Sequence, residues 1–124
     1  MTRVLVIDDD ATALEVIRAV LGGAGLVVFT SASPIGATHT IRAERIDCVV
    51  CDLEMPAMRG EAFAKLFRKT RLFDRVKLVL VSAAPESDLL AVEQSGVADA
   101  VLHKSQLAAR LVPLLRRLMA GSRP

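Results

Sequence analysis

The sequence predicts an α/β fold: five βα units forming a doubly wound sandwich around a five-stranded parallel sheet. Three observations predict it. Five short segments are apolar almost without interruption, as strands of a parallel sheet covered on both faces must be. Between them lie stretches with apolar residues at helical spacing, opened by capping residues or closed by glycine. The alternation is strictly strand then helix, and right-handed crossovers then put helices on both faces of the sheet.

Taken in order, "RVLVIDDD" is an apolar run that ends in acid. "ATALEVIRAVLGGAG" carries Leu14, Ile17 and Leu21 on one helical face and stops at Gly22, Gly23 and Gly25. "LVVFTSA" reads as the second strand. Ser33 as an N-cap, with Pro34 at the first helical position, predicts a helix through Ile35 and Ile41 to about Glu44. "IDCVVCDL" has the character of a fully buried third strand, and "GEAFAKLFRKT" that of a short helix. "VKLVLVSA" is the fourth strand, "PESDLLAVEQSG" a helix closed by Gly96, and "DAVLHK" the fifth strand. The last helix, "QLAARLVPLLRRLM", has Leu107, Leu111, Leu114, Leu115 and Leu118 at helical spacing. Pro113 is its misfit: it removes a backbone hydrogen bond and clashes with the preceding turn, so the helix should kink or become regular only near Arg110.

At 124 residues, one domain spanning 1–124 is expected, long enough to bury roughly two-thirds of its unfolded surface. The 52% apolar content argues against disorder. No apolar run approaches the roughly 20 residues of a membrane helix, and the start has no signal-peptide architecture. A soluble cytoplasmic protein is the expectation. The net charge of +2, from 16 basic and 14 acidic residues, is too weak to imply nucleic acid. The arginines near the end (Arg110, Arg116, Arg117 and Arg123) read as the solvated face of the last helix. Trp and Tyr are absent and only four Phe are present, which argues against an aromatic stacking surface for bases. Neither direct DNA binding nor membrane contact is expected of this chain.

Cys48 and Cys51 invite a metal or redox reading. On one strand they lie about 10 Å apart at about 3.3 Å per residue, and their odd spacing points them to opposite faces. A disulfide needs Cα atoms within about 7 Å, and ligands on opposite faces cannot grip one zinc. Both are expected to be core.

In open α/β sheets, ligands sit beyond the carboxyl ends of the strands where strand order reverses. For the flavodoxin-like order 2-1-3-4-5 that point lies between the first and third strands. The first strand ends in Asp8-Asp9-Asp10, the third in Asp52, the fourth in Ser82 and the fifth in Lys104. Nearby carboxylates raise one another's pKa unless a cation neutralises them. A hard divalent ion does so, and Mg²⁺ typically uses one or two carboxylates plus waters and a phosphate. A lysine can pair with the acids or neutralise an incoming anion, and a hydroxyl can donate to a phosphoryl oxygen. The set is coherent as a phosphoryl-accepting site with one Asp as nucleophile. Singly each residue has a plainer role, as a helix cap, a turn residue or a surface cation. Their common placement is what carries the reading.

From "VLVIDDD" through "CDLEMPAMRG" and "LVLVSA" to "VLHK", the chain resembles a receiver domain of a two-component response regulator over essentially its whole length. The resemblance implies that Asp52 accepts a phosphoryl group from a sensor histidine kinase or a histidine phosphotransfer protein. It implies Mg²⁺ bound by Asp8, Asp9, Asp52 and the backbone carbonyl of Glu54. Ser82 stands at the family's Ser or Thr position and Lys104 at its lysine, while Pro56 and Gly60 match the turn after the phosphoacceptor strand. Asp10 is expected to point away or to cap the next helix. Output would run to a downstream protein or a second copy through the face of the fourth helix, fifth strand and fifth helix. Such a domain is a signalling module, with no catalysis beyond self-phosphorylation from small donors and autodephosphorylation.

Three departures from the family pattern stand out. Ser105 follows Lys104 where a proline is usual, Val101 occupies the aromatic switch position, and Ala83 and Ala84 follow Ser82. None removes a residue that the phosphorylation chemistry needs; Ser105 and Val101 touch the output route, and these departures keep open a receiver-like docking module that is not phosphorylated. The remote alternative is a phosphatase of the haloacid dehalogenase type. "IDDDAT" contains its D-x-D-x-T as Asp8, Asp10 and Thr12, and Ser82 ends a later strand. That reading also needs a late acidic pair, for which only Asp99 is near a strand, and it leaves Asp52 unexplained.

Overall fold

The computed structural model describes residues 1–55, 60–70 and 74–121. Its parallel strands are β1 (Arg3–Ile7), β2 (Val27–Ser31), β3 (Cys48–Asp52), β4 (Lys77–Ser82) and β5 (Ala100–His103), in the order β2-β1-β3-β4-β5. Between and after them run α1 (Ala11–Gly23), α2 (Ala37–Ala43), α3 (Gly60–Lys69), α4 (Glu86–Ser95) and α5 (Leu107–Gly121), the last entered through a 3-10 turn at Lys104–Gln106. This is the expected doubly wound sandwich.

The strand sequences explain the layering. Successive side chains alternate across a strand, so β1, β3 and β4 each feed two cores. Leu5, Ile7, Val49, Cys51, Leu78 and Leu80 pack with Ala37 and Ile41 of α2, Phe63 and Phe67 of α3, and Leu89 of α4. Val4, Val6, Cys48, Val50, Val79 and Val81 pack with Ile17 and Leu21 of α1 and Leu107, Leu111 and Leu115 of α5. Each fully buried Val, Leu or Phe contributes about 1.5–3 kcal/mol. Together these contacts hold the central strands rigid up to their tips. The edge strand β2 is only half-buried throughout.

Cys48 and Cys51 fall in different cores, one on each face, and both are free thiols. Burial pushes the Cys51 thiol up to about 12 and raises that of Cys48 as well. Neither thiol therefore supplies a thiolate near neutral pH.

The opposite edge of the sheet is tied by two aspartates. Asp47 Oδ2 accepts the Arg3 N–H at 2.8 Å. Asp99 Oδ2 accepts the Leu78 N–H at 2.7 Å and an Arg68 guanidinium N–H at 2.8 Å. Asp99 thus closes the amino-terminal end of β4, away from the tips where a phosphatase would need it.

Two elements differ from expectation. The second helix begins at Ala37, not at Pro34. Ser33 Oγ does accept the Ile35 N–H, at 3.1 Å, but this closes a turn rather than a helix. The chain then passes through Gly36 at φ 82°, and the Ala37 N–H donates to the Pro34 carbonyl at 3.1 Å. That is a type II turn, which favours glycine at its third position, and it leaves Ile35 76% exposed. In α5, helix is regular from Leu107, not only from Arg110, and runs through Pro113. Pro113 and Ala109, whose carbonyl loses its helical donor, are both exposed, so water can satisfy the freed group. Pro56 and Arg123 lie outside the described residues, while Gly60 opens α3.

Candidate functional site

Register brings the polar residues together. Ile7 of β1 pairs with Cys51 of β3, so the next residues, Asp8 and Asp52, leave adjacent strand tips side by side. Asp52 is itself paired with Val81 of β4, and Ser82 with His103 of β5. Lys104 follows His103 as the first residue of the 3-10 turn, one position beyond the strand expected to contain it.

The Asp8 side chain is fully buried, and Asp52 is 4% exposed. Asp52 Oδ1 accepts the Glu54 backbone N–H at 3.1 Å, and its Oδ2 accepts Lys104 Nζ at 3.2 Å. Asp8 Oδ1 accepts the Asp10 N–H at 2.9 Å. Lys104 Nζ lies 3.0 Å from Asp8 Oδ2, an ion pair whose angles do not make a hydrogen bond. Asp8 Oδ2 is in fact the buried side-chain oxygen without a hydrogen-bond partner among the described residues. Asp9 is exposed, and one carboxylate oxygen each from Asp8, Asp9 and Asp52 lie within 4.8 Å of one another.

These residues fit a hard divalent cation. Two oxygens at about 2.1 Å from one Mg²⁺ lie at most about 4.2 Å apart, so small side-chain movements suffice. Asp8 Oδ2, ion-paired with Lys104 but without a hydrogen bond, supplies a ready ligand, and among the described residues Lys104 is the cation paired with both Asp8 and Asp52.

Burial pushes the Asp52 carboxyl above its ordinary range, and the Asp8 charge adds to this, against the pull of the Glu54 N–H and Lys104. Burial by itself would lower Lys104. Its contacts with Asp8 and Asp52 outweigh that and hold its pKa above the ordinary value. The two shifts describe one cluster: a desolvated acid pair clamped by a cation that the pair keeps charged.

Ser82 is fully buried. Its Oγ donates to Glu54 Oε1 at 2.6 Å and accepts the Ala84 N–H at 2.9 Å. Sequence reasoning assigned Glu54 only a backbone carbonyl, and missed its side chain. The available signal was positional: two residues beyond the tip of β3, a long side chain can reach the tip of neighbouring β4.

Asp10 caps α1 by accepting the Thr12 N–H at 2.9 Å. It therefore points away from the acid cluster, which removes the second aspartate of the D-x-D-x-T reading. His103 caps the 3-10 turn, its Nδ1 accepting the Ser105 N–H at 3.1 Å with Ser105 Oγ 2.7 Å away. Val101 is half-buried and packs against the core shared with α4.

The family model described as "Response regulator receiver domain" matches residues 4–116. The chain belongs to this family. As a receiver domain, it is 35% identical over 111 residues to "Protein-glutamate methylesterase/protein-glutamine glutaminase 1" of Anaeromyxobacter dehalogenans, covering 87% of this chain and 31% of that protein. It is 30% identical over 119 residues to "DNA-binding response regulator MtrA" of Mycobacterium tuberculosis, covering 93% of this chain and 51% of that one. The receiver thus spans between about a third and a half of these curated relatives. Among solved structures, the response regulator protein TrrA of Thermotoga maritima, in complex with Mg(2+)-BeF, superposes with a TM-score of 0.82 at 27% identity, covering 95% of this chain and 99% of that one. Among the described residues, no helix is long and apolar enough to cross a membrane.

Proposed function

We propose that this receiver domain is switched by phosphorylation of Asp52 by a sensor histidine kinase or a histidine phosphotransfer protein. The observation that carries the reading is the buried Asp52 carboxylate, fixed by Glu54 and Lys104 at the tip of a rigid strand beside Asp8 and Asp9. An Asp52 oxygen attacks phosphorus and forms the new P–O bond. The P–N bond of a phosphohistidine, or the P–O bond of an acyl phosphate, breaks and its electron pair leaves with the donor. Desolvation makes the ionised carboxylate a stronger nucleophile, while the Glu54 N–H and Lys104 orient its two oxygens. Lys104 stays charged and can shift toward the transferred oxygens, and the Ser82 hydroxyl can donate to one of them. Asp8, Asp9, Asp52 and the Glu54 backbone carbonyl would hold Mg²⁺, which when bound neutralises charge on the phosphoryl group.

On this reading the chain is a single cytoplasmic signalling module, not an enzyme acting on a separate substrate. Its output goes to a downstream protein or a second copy through α4, β5 and α5, without direct DNA or membrane contact. The test is mass spectrometry after acetyl phosphate and Mg²⁺. One added phosphoryl group is expected, abolished in Asp52→Asn. Undiminished labelling of that variant would assign the acceptor elsewhere, and no labelling of the wild type would favour a docking module.

A further inference from the structure

Ser82 has one hydroxyl proton, and Glu54 holds it. The 2.6 Å bond to Glu54 Oε1 uses the only donor of a fully buried side chain, while the Ala84 N–H at 2.9 Å fixes the oxygen from the other side. The hydroxyl can therefore reach a phosphoryl oxygen on Asp52 only by leaving Glu54. Glu54 is joined to both partners, since its backbone N–H donates to Asp52 Oδ1 at 3.1 Å. Its residue is exposed, so the released carboxylate can turn into water with little penalty.

From this geometry we infer that the Glu54 carboxylate is a positioning residue that latches Ser82 in its resting orientation and sets the threshold for the phosphorylated state. The inference rests on the phosphoacceptor reading of Asp52 and adds the regulation of that site. A hydroxyl shared by two competing acceptors is a two-state element, and a ligand needing the released state binds more weakly by the fraction of molecules still latched. The Ala84 amide, bonded to the same oxygen, transmits the choice to the loop that leads into α4.

The test uses beryllofluoride, a phosphoryl mimic, at saturating Mg²⁺. Glu54→Ala should bind it about three- to tenfold more tightly than wild type, the range for losing an ordinary hydrogen bond, because solvent screens the exposed carboxylate. Glu54→Gln, which keeps a weaker acceptor, should fall between them. In unliganded protein, the Ala83 and Ala84 amide shifts of Glu54→Ala should lie part-way toward the mimic-bound wild type. In a Ser82→Ala background the Glu54 substitution should change neither readout. Tighter binding that persists in that background would assign the effect to general charge and overturn the latch, as would wild-type affinity and shifts in Glu54→Ala. Failure of the wild type to bind the mimic is a different result: it overturns the phosphoacceptor reading, and the latch with it.

Discussion

Asp52 is held at a position that suits chemistry and strains folding. Its carboxyl pKa is raised chiefly by burial, so the ionised form is disfavoured in the fold relative to the unfolded chain, where it titrates near about 3.9. The folded state then binds more protons than the unfolded one across that window, and stability falls as pH rises through it. In metal-free buffer near neutral pH, Asp52→Asn, which removes the desolvated charge, should raise Tm. The difference should shrink as pH falls toward about 3.9; a lower Tm for the variant at neutral pH would contradict this account. Lys104 shifts stability in the same direction but at higher pH, through a charged form that the fold favours. Its raised pKa gives a contribution complete below about 10.4 and lost as pH climbs through the folded value. Among the acids, Asp9→Ala should weaken Mg²⁺ binding, read by calorimetry, far more than Asp10→Ala, because Asp10 is committed to the Thr12 N–H. Equal losses would mean that Asp10 leaves its cap to bind metal. The position of Asp10 was readable from sequence, since a short acid before an apolar helical run is a natural N-cap. For the Ser82–Glu54 bond only the reach of Glu54 toward β4 was legible; the bond itself depends on rotamers above two neighbouring tips.

The elements show the same division between local chemistry and context. Strand identities were legible because β1, β3 and β4 are apolar on both faces, and the odd spacing of Cys48 and Cys51 alone assigns those thiols to opposite cores. The start of α2 was misjudged for a definite reason. Ser33-Pro34 is a strong helix-opening signal, yet Gly36 can take a positive φ at no steric penalty and turns the chain first. Apart from its own chain neighbours, no heavy atom of the described residues lies within 4 Å of where a Gly36 Cβ would sit, so substitution there isolates the backbone conformation. Gly36→Ala should lower unfolding free energy by about 1 kcal/mol, with Gly36→Asn less affected because Asn tolerates the left-handed region. Urea denaturation measures both. Equal stability of Gly36→Ala and wild type would show that the helix can restart at Pro34 without the turn.

At the scale of the molecule, the question is how a change at the strand tips reaches a partner. The resemblance supplies an aromatic on the fifth strand that turns inward when the hydroxyl moves. Val101 cannot fill that role, being β-branched, stiff about χ1 and already half-buried against the core. The surface around it carries two grooves. A groove of about 410 Å³ is lined by Leu90, Val101, His103 and Arg110, and one of about 420 Å³ by Val101, Arg110, Pro113 and Arg117. Leu90 is 53% exposed beside them. Topology and strand tips were legible in sequence, so this face could be located. Its grooves could not, because they depend on how α4 and α5 pack against β5. The remaining route from the site is through Ser82 to the Ala84 amide and into α4, whose first turn begins two residues later. Beryllofluoride and Mg²⁺ should therefore shift amide resonances across residues 84 to 96, not only those beside Asp52. A Val101→Ala variant should preserve that pattern, since no rotation at that position carries it. Shifts confined to the neighbours of Asp52 would disconnect the site from this face and leave constitutive docking as its use. Loss of the α4 shifts in Val101→Ala would instead give Val101 the transmitting role that its size argues against.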